Sequence, residues 1–344
     1  MRRLLSALAL AILCVTISTA SAQEPGRVYR VGLLVIGRPD LVMTPAEKWT
    51  SPGGVATRNT LQNNGFVLGK NLIVEVRHAQ GDQARLAAEV ESLVAANVDV
   101  IITQGTPPTV AALKATKPVP VVFFAVGDPV EKGIVASLAR PGGNATGQAD
   151  LISYGKLWQY LHEISPATRR VAVISNDQNS MALSQQRRAP YRAFFDKRMV
   201  DEAAAVGFEA FTTRVNSLDE VGSKFAEFAK DSNAGILIST DAILFDWRAA
   251  IMEMALKNNL PSACPQDRAW AEAGCLVTYT ENYSVGTRGT GATVVKILQG
   301  TKPADIPVEQ PASSFKFIIN AKTAKALDIT VPPALLAAAD EVIE

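Results

Sequence analysis

The chain is 344 residues long and almost neutral, with 34 Lys plus Arg against 33 Asp plus Glu, two histidines and three cysteines. That balance excludes the basic footprint of a nucleic-acid binder. Two histidines, with no nucleophile beside either, leave little for a metal centre or a Ser-His-Asp triad.

Arg2 and Arg3 precede the apolar run "LLSALALAILCVTIST", which ends at Ala20-Ser21-Ala22. This pattern reads as a secretory signal peptide over residues 1–22, cleaved before Gln23. A membrane anchor is the alternative, but the run is short for a span and lacks a basic stop-transfer flank. Ala11-Ile12-Leu13 before Cys14 do not form a lipobox. The protein is therefore expected to be exported and periplasmic, as a soluble monomer.

Beyond the leader, strands and helices alternate. "YRVGLLVIG" (29–37) reads as a buried strand, with a helix between Thr57 and Asn64. "NLIVEVRHA" is a second strand. In "DQARLAAEVESLVAAN", Leu86, Val90, Leu93 and Val94 recur at helical spacing, with Asp82 as N-cap. "VDVIITQG" (strand) and "PPTVAALKAT" (helix) follow, then "VPVVFFAVG" (strand) and "PVEKGIVASLA" (helix). A glycine-rich loop, "RPGGNATG", comes next. The rhythm resumes with a helix at Gly155–Ile164, the strand "RRVAVISN" and a helix in "DKRMVDEAAAVG". Then come the strand "FEAFTTRV", a helix capped near Ser217, the strand "AGILIST" and the helix "FDWRAAIMEMALKNN". Two short strands, "LPSAC" and "GCLVTYT", precede a long helix in "YSVGTRGTGATVVKILQG". A strand and helix in "FKFIINAKTAKAL" and the segment "PPALLAAADEVI" close the chain. Alternation of this kind implies parallel sheets covered on both faces, and its two runs imply two α/β lobes. The most irregular stretches are Arg38–Gly54 and Gln178–Arg192, each following a lobe's first strand.

No phosphate-binding motif is present. The glycines of "RPGGNATG" follow an expected helix and lack a lysine at P-loop spacing, so turn geometry and hinge freedom explain them better. "GTRGTG" (Gly286–Gly291) fits close helix packing better than a dinucleotide fingerprint. No cofactor and no metal are expected. Cys264 and Cys275 form an even pair in an oxidising compartment and are candidates for a disulfide, with two buried thiols as the alternative.

The strand-to-helix junctions carry the functional signal. "TQGTPPT" offers Gly105 for a tight turn, Thr106 as a hydroxyl N-cap and Pro107 at the helix start, with free N–H groups suited to a carboxylate. "AVGDPV", "ISNDQN" and "ISTDAI" repeat the arrangement with Asp128, Asn176, Asp177 and Asp241. Such loops lie at the carboxyl ends of strands, where open α/β sheets bind ligands. The expected ligand-contacting set is Gly37, Arg38, Gln104, Gly105, Thr106, Thr109, Asp128, Asn176, Asp177, Asp241 and Asp267. Helix starts and acidic side chains together suit a zwitterion such as an amino acid. For any one residue, ordinary helix capping is the alternative.

The blocks "GFVLGKNLIVEVRHAQGDQARLAAEVESLVAANVDVIITQGTPPTVAALKAT", "VPVVFFAVGDPVEKGIVASLARPGGNATG" and "ILQGTKPADIPVEQPASSFKFIINAKTAKALDITVPPALLAAADEVIE" resemble bacterial ABC-transporter substrate-binding proteins of the tryptophan/tyrosine-binding type. The resemblance implies a type I periplasmic-binding-protein fold, with two lobes joined by three crossovers that close by a hinge. Lobe 1 would comprise residues 29–146 and 281–311, and lobe 2 residues 147–280 and 312–344. The captured solute would pass to a membrane permease driven by an ATPase subunit. Two stretches depart from the family pattern: "GRPDLVMTPAEKWTSPGGVATRNT", and the Arg- and aromatic-rich "NDQNSMALSQQRRAPYRAFFDKRM". Arg187, Arg188 and Arg192 would face an acidic solute or a partner, or form a solvated helix face. The absence of a nucleophile–base pair points away from an exported enzyme. A sensing partner of a membrane receptor shares the fold and is the other alternative.

Overall fold

In this computed structural model, residues 26–37, 52–115, 117–150, 153–177, 182–265, 268–281, 283–310 and 315–344 are described. The first sheet holds β1 (Tyr29–Val35), β2 (Leu72–His78), β3 (Val100–Gln104), β4 (Val121–Val126) and β5 (Ala145–Ala149). Its order is β2-β1-β3-β4-β5, all parallel. The central strands β1, β3 and β4 are mostly apolar because both faces are covered, while the edge strand β2 alternates buried Leu72 and Val74 with half-buried residues such as Glu75 and Arg77. Val31, Leu33 and Val35 face one core with α1 (Pro52–Asn63) and α10 (Tyr283–Leu298). Leu34 and Ile36 face the other, with α2 (Leu86–Ala95) and α3 (Thr106–Leu113).

The second sheet contains β6 (Arg170–Ser175), β7 (Glu209–Arg214), β8 (Ala234–Ile238), β9 (Ser262–Pro265), β10 (Val277–Glu281), β11 (Phe315–Asn320) and β12 (Glu341–Ile343). Its order is β12-β11-β10-β9-β8-β6-β7, and the β10–β11 pair is antiparallel. One face packs against α4 (Tyr154–Ile164) and α5 (Gln185–Ala204). The other packs against α6 (Leu218–Phe228), α8 (Arg248–Lys257) and α9 (Arg268–Glu272). Between β8 and α8 runs the short α7 (Ala242–Asp246), and α11 (Ala321–Ala326) and α12 (Pro333–Ala338) lie near the C-terminus. Cys264 and Cys275 are joined as a disulfide with their Cα atoms 6.4 Å apart.

The chain returns to the first lobe as α10. A Cβ on Gly291 would lie 2.9 Å from Thr60 Cβ and 3.2 Å from Thr57 Cα, so glycine permits α1 and α10 to pack this closely. The segment after α10 then runs beside β5: Glu309 N–H donates to Gly147 O, and Ala149 N–H donates to Glu309 O, both at 2.9 Å. Two of the connections between the sheets thus lie side by side.

Three local expectations are corrected. "PVEKGIVASLA" is a single hydrogen-bonded turn followed by bends, with no helix. Lys132 N–H bonds to Asp128 O at 3.0 Å, and then Gly133, at φ 70, leaves helical geometry. Conversely, α5 begins at Gln185, within the stretch expected to be irregular, and carries Pro190 inside it. Proline removes one helical donor there, but packing of Met199 and Ala203 anchors the rest of the helix. Finally, the helix expected over "FDWRAAIMEMALKNN" is broken at Trp247 into α7 and α8.

Candidate functional site

Strand order places the site. In the first sheet β1 sits between β2 and β3, and in the second β6 sits between β7 and β8. Loops at the carboxyl ends of these strands diverge, leaving a crevice at each switch point. The two crevices meet. A Cβ on Gly37, just after β1, would come within 3.1 Å of Asp246 Oδ2 at the end of α7. Ala242 of α7 packs on the first lobe's core. The lobes are therefore closed on one another in this structure.

The start of α3 differs from its sequence expectation. Gly105, at φ 79, is the N-cap, and Thr106 is the first helical residue with no side-chain cap. Pro107 and Pro108 lack N–H groups, and Thr109 N–H bonds to Gly105 O at 3.4 Å. The Thr109 hydroxyl donates to Gly105 O at 2.6 Å and lies 2.8 Å from Thr103 Oγ1. Few donors are left for an anion. Gln104, half-buried, ends β3 beside this turn.

The neighbouring loop after β4 carries the charge. Ala125 (φ 55) and Asp128 (φ 50) adopt the left-handed region, and the β4–β5 register shifts between Phe123 and Val126. Left-handed backbone at non-glycine residues is strained and collects at ligand-handling loops. Its effect is to turn Gly127–Gly133 toward the second lobe. Lys132 is only 7 % exposed. Its Nζ donates to Gly127 O at 2.6 Å and lies 5.0 Å from the centre of the Tyr191 ring on α5. Burial lowers its pKa, while Asp128, Asp150 and Asp241 act in the opposite direction. Burial likewise raises the pKa of the Tyr191 hydroxyl. Asp128 Oδ1 lies 3.4 Å from Arg198 Nη1, and Arg198 stacks over the Tyr154 ring at 5.5 Å.

The second lobe supplies the opposing wall. Asp241, 4 % exposed, caps α7 by accepting from Ile243 N–H at 2.8 Å and Leu244 N–H at 3.1 Å. Burial pushes its pKa up to about 6, against the opposing pull of those two bonds. The Tyr154 hydroxyl accepts from Thr240 N–H at 3.1 Å, fixing the start of α4 against the loop after β8. Burial raises the pKa of this hydroxyl. Asn176 Nδ2 donates to Val215 O at 2.9 Å. Asp177 pairs with Arg192 at 2.5 Å and with Arg214 at 3.4 Å.

Gly37, Gln104, Gly105, Thr106, Thr109 and Asp128 therefore stand on one wall, and Asn176, Asp177 and Asp241 on the other. Arg38 and Asp267 lie outside the described residues. Sequence reasoning did not single out Lys132, Tyr154, Tyr191 or Arg198. Lys132 was hidden in a segment read as helical. Tyr191 and Arg198 share a face of α5 with Arg187, whose guanidinium carbon would lie 2.7 Å from a Cβ on Gly133. Their spacing of four and seven residues was the available signal.

Comparison with known proteins bears on the whole chain. Residues 50–343 match the family described as ABC transporter substrate binding protein. A curated relative, the tyrosine-binding protein of Clostridioides difficile, is 26 % identical over 294 residues, covering 86 % of this chain and 81 % of that one. An ABC domain from Streptococcus pneumonia, solved in complex with L-Trp, superposes with a TM-score of 0.79 at 23 % identity, covering 92 % of this chain and all of that one. A conserved domain protein from Vibrio cholerae gives the same TM-score at 25 % identity, with 92 % and 100 % coverage. The fold is that of type I periplasmic binding proteins, with two α/β lobes facing each other. The family is one of substrate-binding proteins and is typically extracytoplasmic. Among the described residues no helix is long and apolar enough to cross a membrane. Matched over most of its length, the chain belongs to the ABC transporter substrate-binding protein family.

Proposed function

We propose that this protein is exported by its N-terminal leader, captures an amino-acid-like solute between its lobes and delivers it to a membrane permease. The observation that carries this reading is the meeting of opposite charges, buried or partly buried, where the carboxyl-end loops of the two sheets and α5 face one another. Asp128, Asp150 and Asp241 lie near Lys132, and Arg198 reaches Asp128 from the other lobe. Side-by-side charges of both signs suit a zwitterion. The lobes move about the crossovers that bound residues 29–146 with 281–311 and 147–280 with 312–344, and closure completes the site. Gly37, Gln104, Gly105, Thr106 and Thr109 line it from lobe 1, and Asn176, Asp177 and Asp241 from lobe 2. The tyrosine-binding relative and the L-Trp complex make aromatic amino acids the first solutes to try.

The test is a thermal-shift panel of the twenty amino acids and simple aromatic acids on the purified protein. A bound solute stabilises by about 2.7 kcal/mol at a hundredfold excess over its Kd. A melting point unmoved across the whole panel would refute the reading.

A further inference from the structure

Lys132 is a buried cation that the protein satisfies incompletely. An ammonium group has three donors. Gly127 O takes one at 2.6 Å, and the Tyr191 ring face accounts for a second direction at 5.0 Å. Three acids nearby, Asp128, Asp150 and Asp241, act on it through space; Asp128 is also paired with Arg198, and Asp241 accepts two backbone N–H groups of α7. No ion pair to Lys132 is recorded among the described residues. Long cationic side chains normally carry their heads out to water. This one is turned inward, between a loop of lobe 1 and a helix of lobe 2. Burying a charge costs more than one neutral hydrogen bond returns unless a counter-charge arrives.

The competing anion site is weak. Pro107 and Pro108 remove two donors from the start of α3, and the Thr109 N–H is already bonded. The carboxylate of a captured solute has its better partner one loop away.

We propose that Lys132 is the solute's anion-binding residue, its ammonium taking a carboxylate oxygen while Gly127 O and the Tyr191 ring hold the head in place. This deepens the solute-binding reading and rests on it. It makes Lys132 a specificity-determining residue: amines lacking a carboxylate are rejected because they leave a buried ammonium without its counter-charge.

The test compares wild type with K132M and K132R by isothermal titration. The probes are L-tyrosine, tyramine, which lacks the carboxylate, and 3-(4-hydroxyphenyl)propionate, which lacks the ammonium. Wild type should prefer L-tyrosine over tyramine by about 10- to 100-fold, the worth of one charge-assisted hydrogen bond. K132M should lose that preference by weakening L-tyrosine and the propionate while leaving tyramine nearly unchanged, and K132R should recover part of it. Equal loss for all three probes would assign Lys132 to structure alone and overturn the proposal. So would a wild type that binds tyramine as well as L-tyrosine, a measurement that stands even if K132M fails to fold. Binding of the propionate without any amino acid would sink the amino-acid reading yet support Lys132 if K132R retains it. Binding of no carboxylate at all would overturn both.

Discussion

Arg198 of lobe 2 reaches across the cleft to Asp128 of lobe 1, Nη1 to Oδ1 at 3.4 Å. The same guanidinium bonds Glu202 on its own helix at 2.8 Å, so it is positioned before the lobes meet. Both side chains of the interlobe pair are about a quarter exposed, at 28 % and 25 %, which limits what the contact contributes. The D128N variant is expected to weaken solute binding about two- to fivefold, corresponding to roughly 0.5–1 kcal/mol. High salt should erase the difference. A double-mutant cycle with R198Q, followed by titration calorimetry, isolates the pair from the Glu202 contact. Zero coupling energy would show that the pair does not hold the closed state.

Asp241 gives stability a defined pH dependence. Its folded pKa is raised to about 6 from 3.8. Between those values the folded state keeps a proton that the unfolded chain releases. Stability from this residue is therefore highest below about pH 4, falls as pH rises, and is fully lost above about pH 6. The total is on the order of 3 kcal/mol. The D241N variant keeps a capping oxygen without the charge, so it should be more stable than wild type at pH 7 and flatter between pH 4 and 6. D241A should instead lose about 1 kcal/mol through the missing cap. Urea titrations across that pH range decide between them, and identical pH slopes for wild type and D241N would refute the assignment.

Gly147 stands where no side chain fits. Its φ is 145°, and an added Cβ would overlap the Phe123 carbonyl oxygen and lie 2.6 Å from the Phe123 nitrogen. Both are backbone atoms of the adjacent strand, which cannot swing away. Gly147→Ala is predicted to cost more than about 3 kcal/mol, beyond the ordinary range of point substitutions. A lowered melting point or insoluble expression would be the outcome. A wild-type melting curve would mean that β4 and β5 separate here more easily than their pairing implies.

The Cys264–Cys275 disulfide closes a short loop, its cysteines 11 residues apart and both fully buried. Replacing both by serine should destabilise lobe 2 by about 2–4 kcal/mol. Because solvent does not reach the sulfurs, a mild reductant should leave the native protein's intact mass after alkylation unchanged. The same treatment in denaturant should add two alkyl groups to protein starting at Gln23, which lacks Cys14. Alkylation of Cys264 and Cys275 in denaturant without reductant would show free thiols instead.

Some of the site was readable in order of residues. Gly105 and the loops after β1, β3, β6 and β8 follow from where apolar strands end and small polar residues begin. The donors of α3 were misread: Pro107 and Pro108 carry no N–H, so the start of this helix offers fewer free donors than the sequence reading counted. Lys132 was not readable. Its segment has helical composition, and only the left-handed backbone at Asp128 and Gly133 breaks that helix and turns the side chain into the cleft. The first half of α5 was missed for the opposite reason, since Pro190 suggests a break that packing further along the helix overrides.

Alternation of apolar strands with amphipathic helices determined the α/β class and the two-lobed plan, because both depend on which residues can be buried within one element and its neighbours. Which charges meet between the lobes was decided only by tertiary structure. Asp128 and Lys132 share the loop after β4 and Tyr191 and Arg198 share α5, but the loop, that helix, Asp150 and Asp241 are far apart in sequence, and no local pattern encodes their meeting. Burial then sets what two of them do: it lowers the pKa of Lys132 and raises that of Asp241 to about 6, while Arg198, about a quarter exposed, links the two lobes through Asp128.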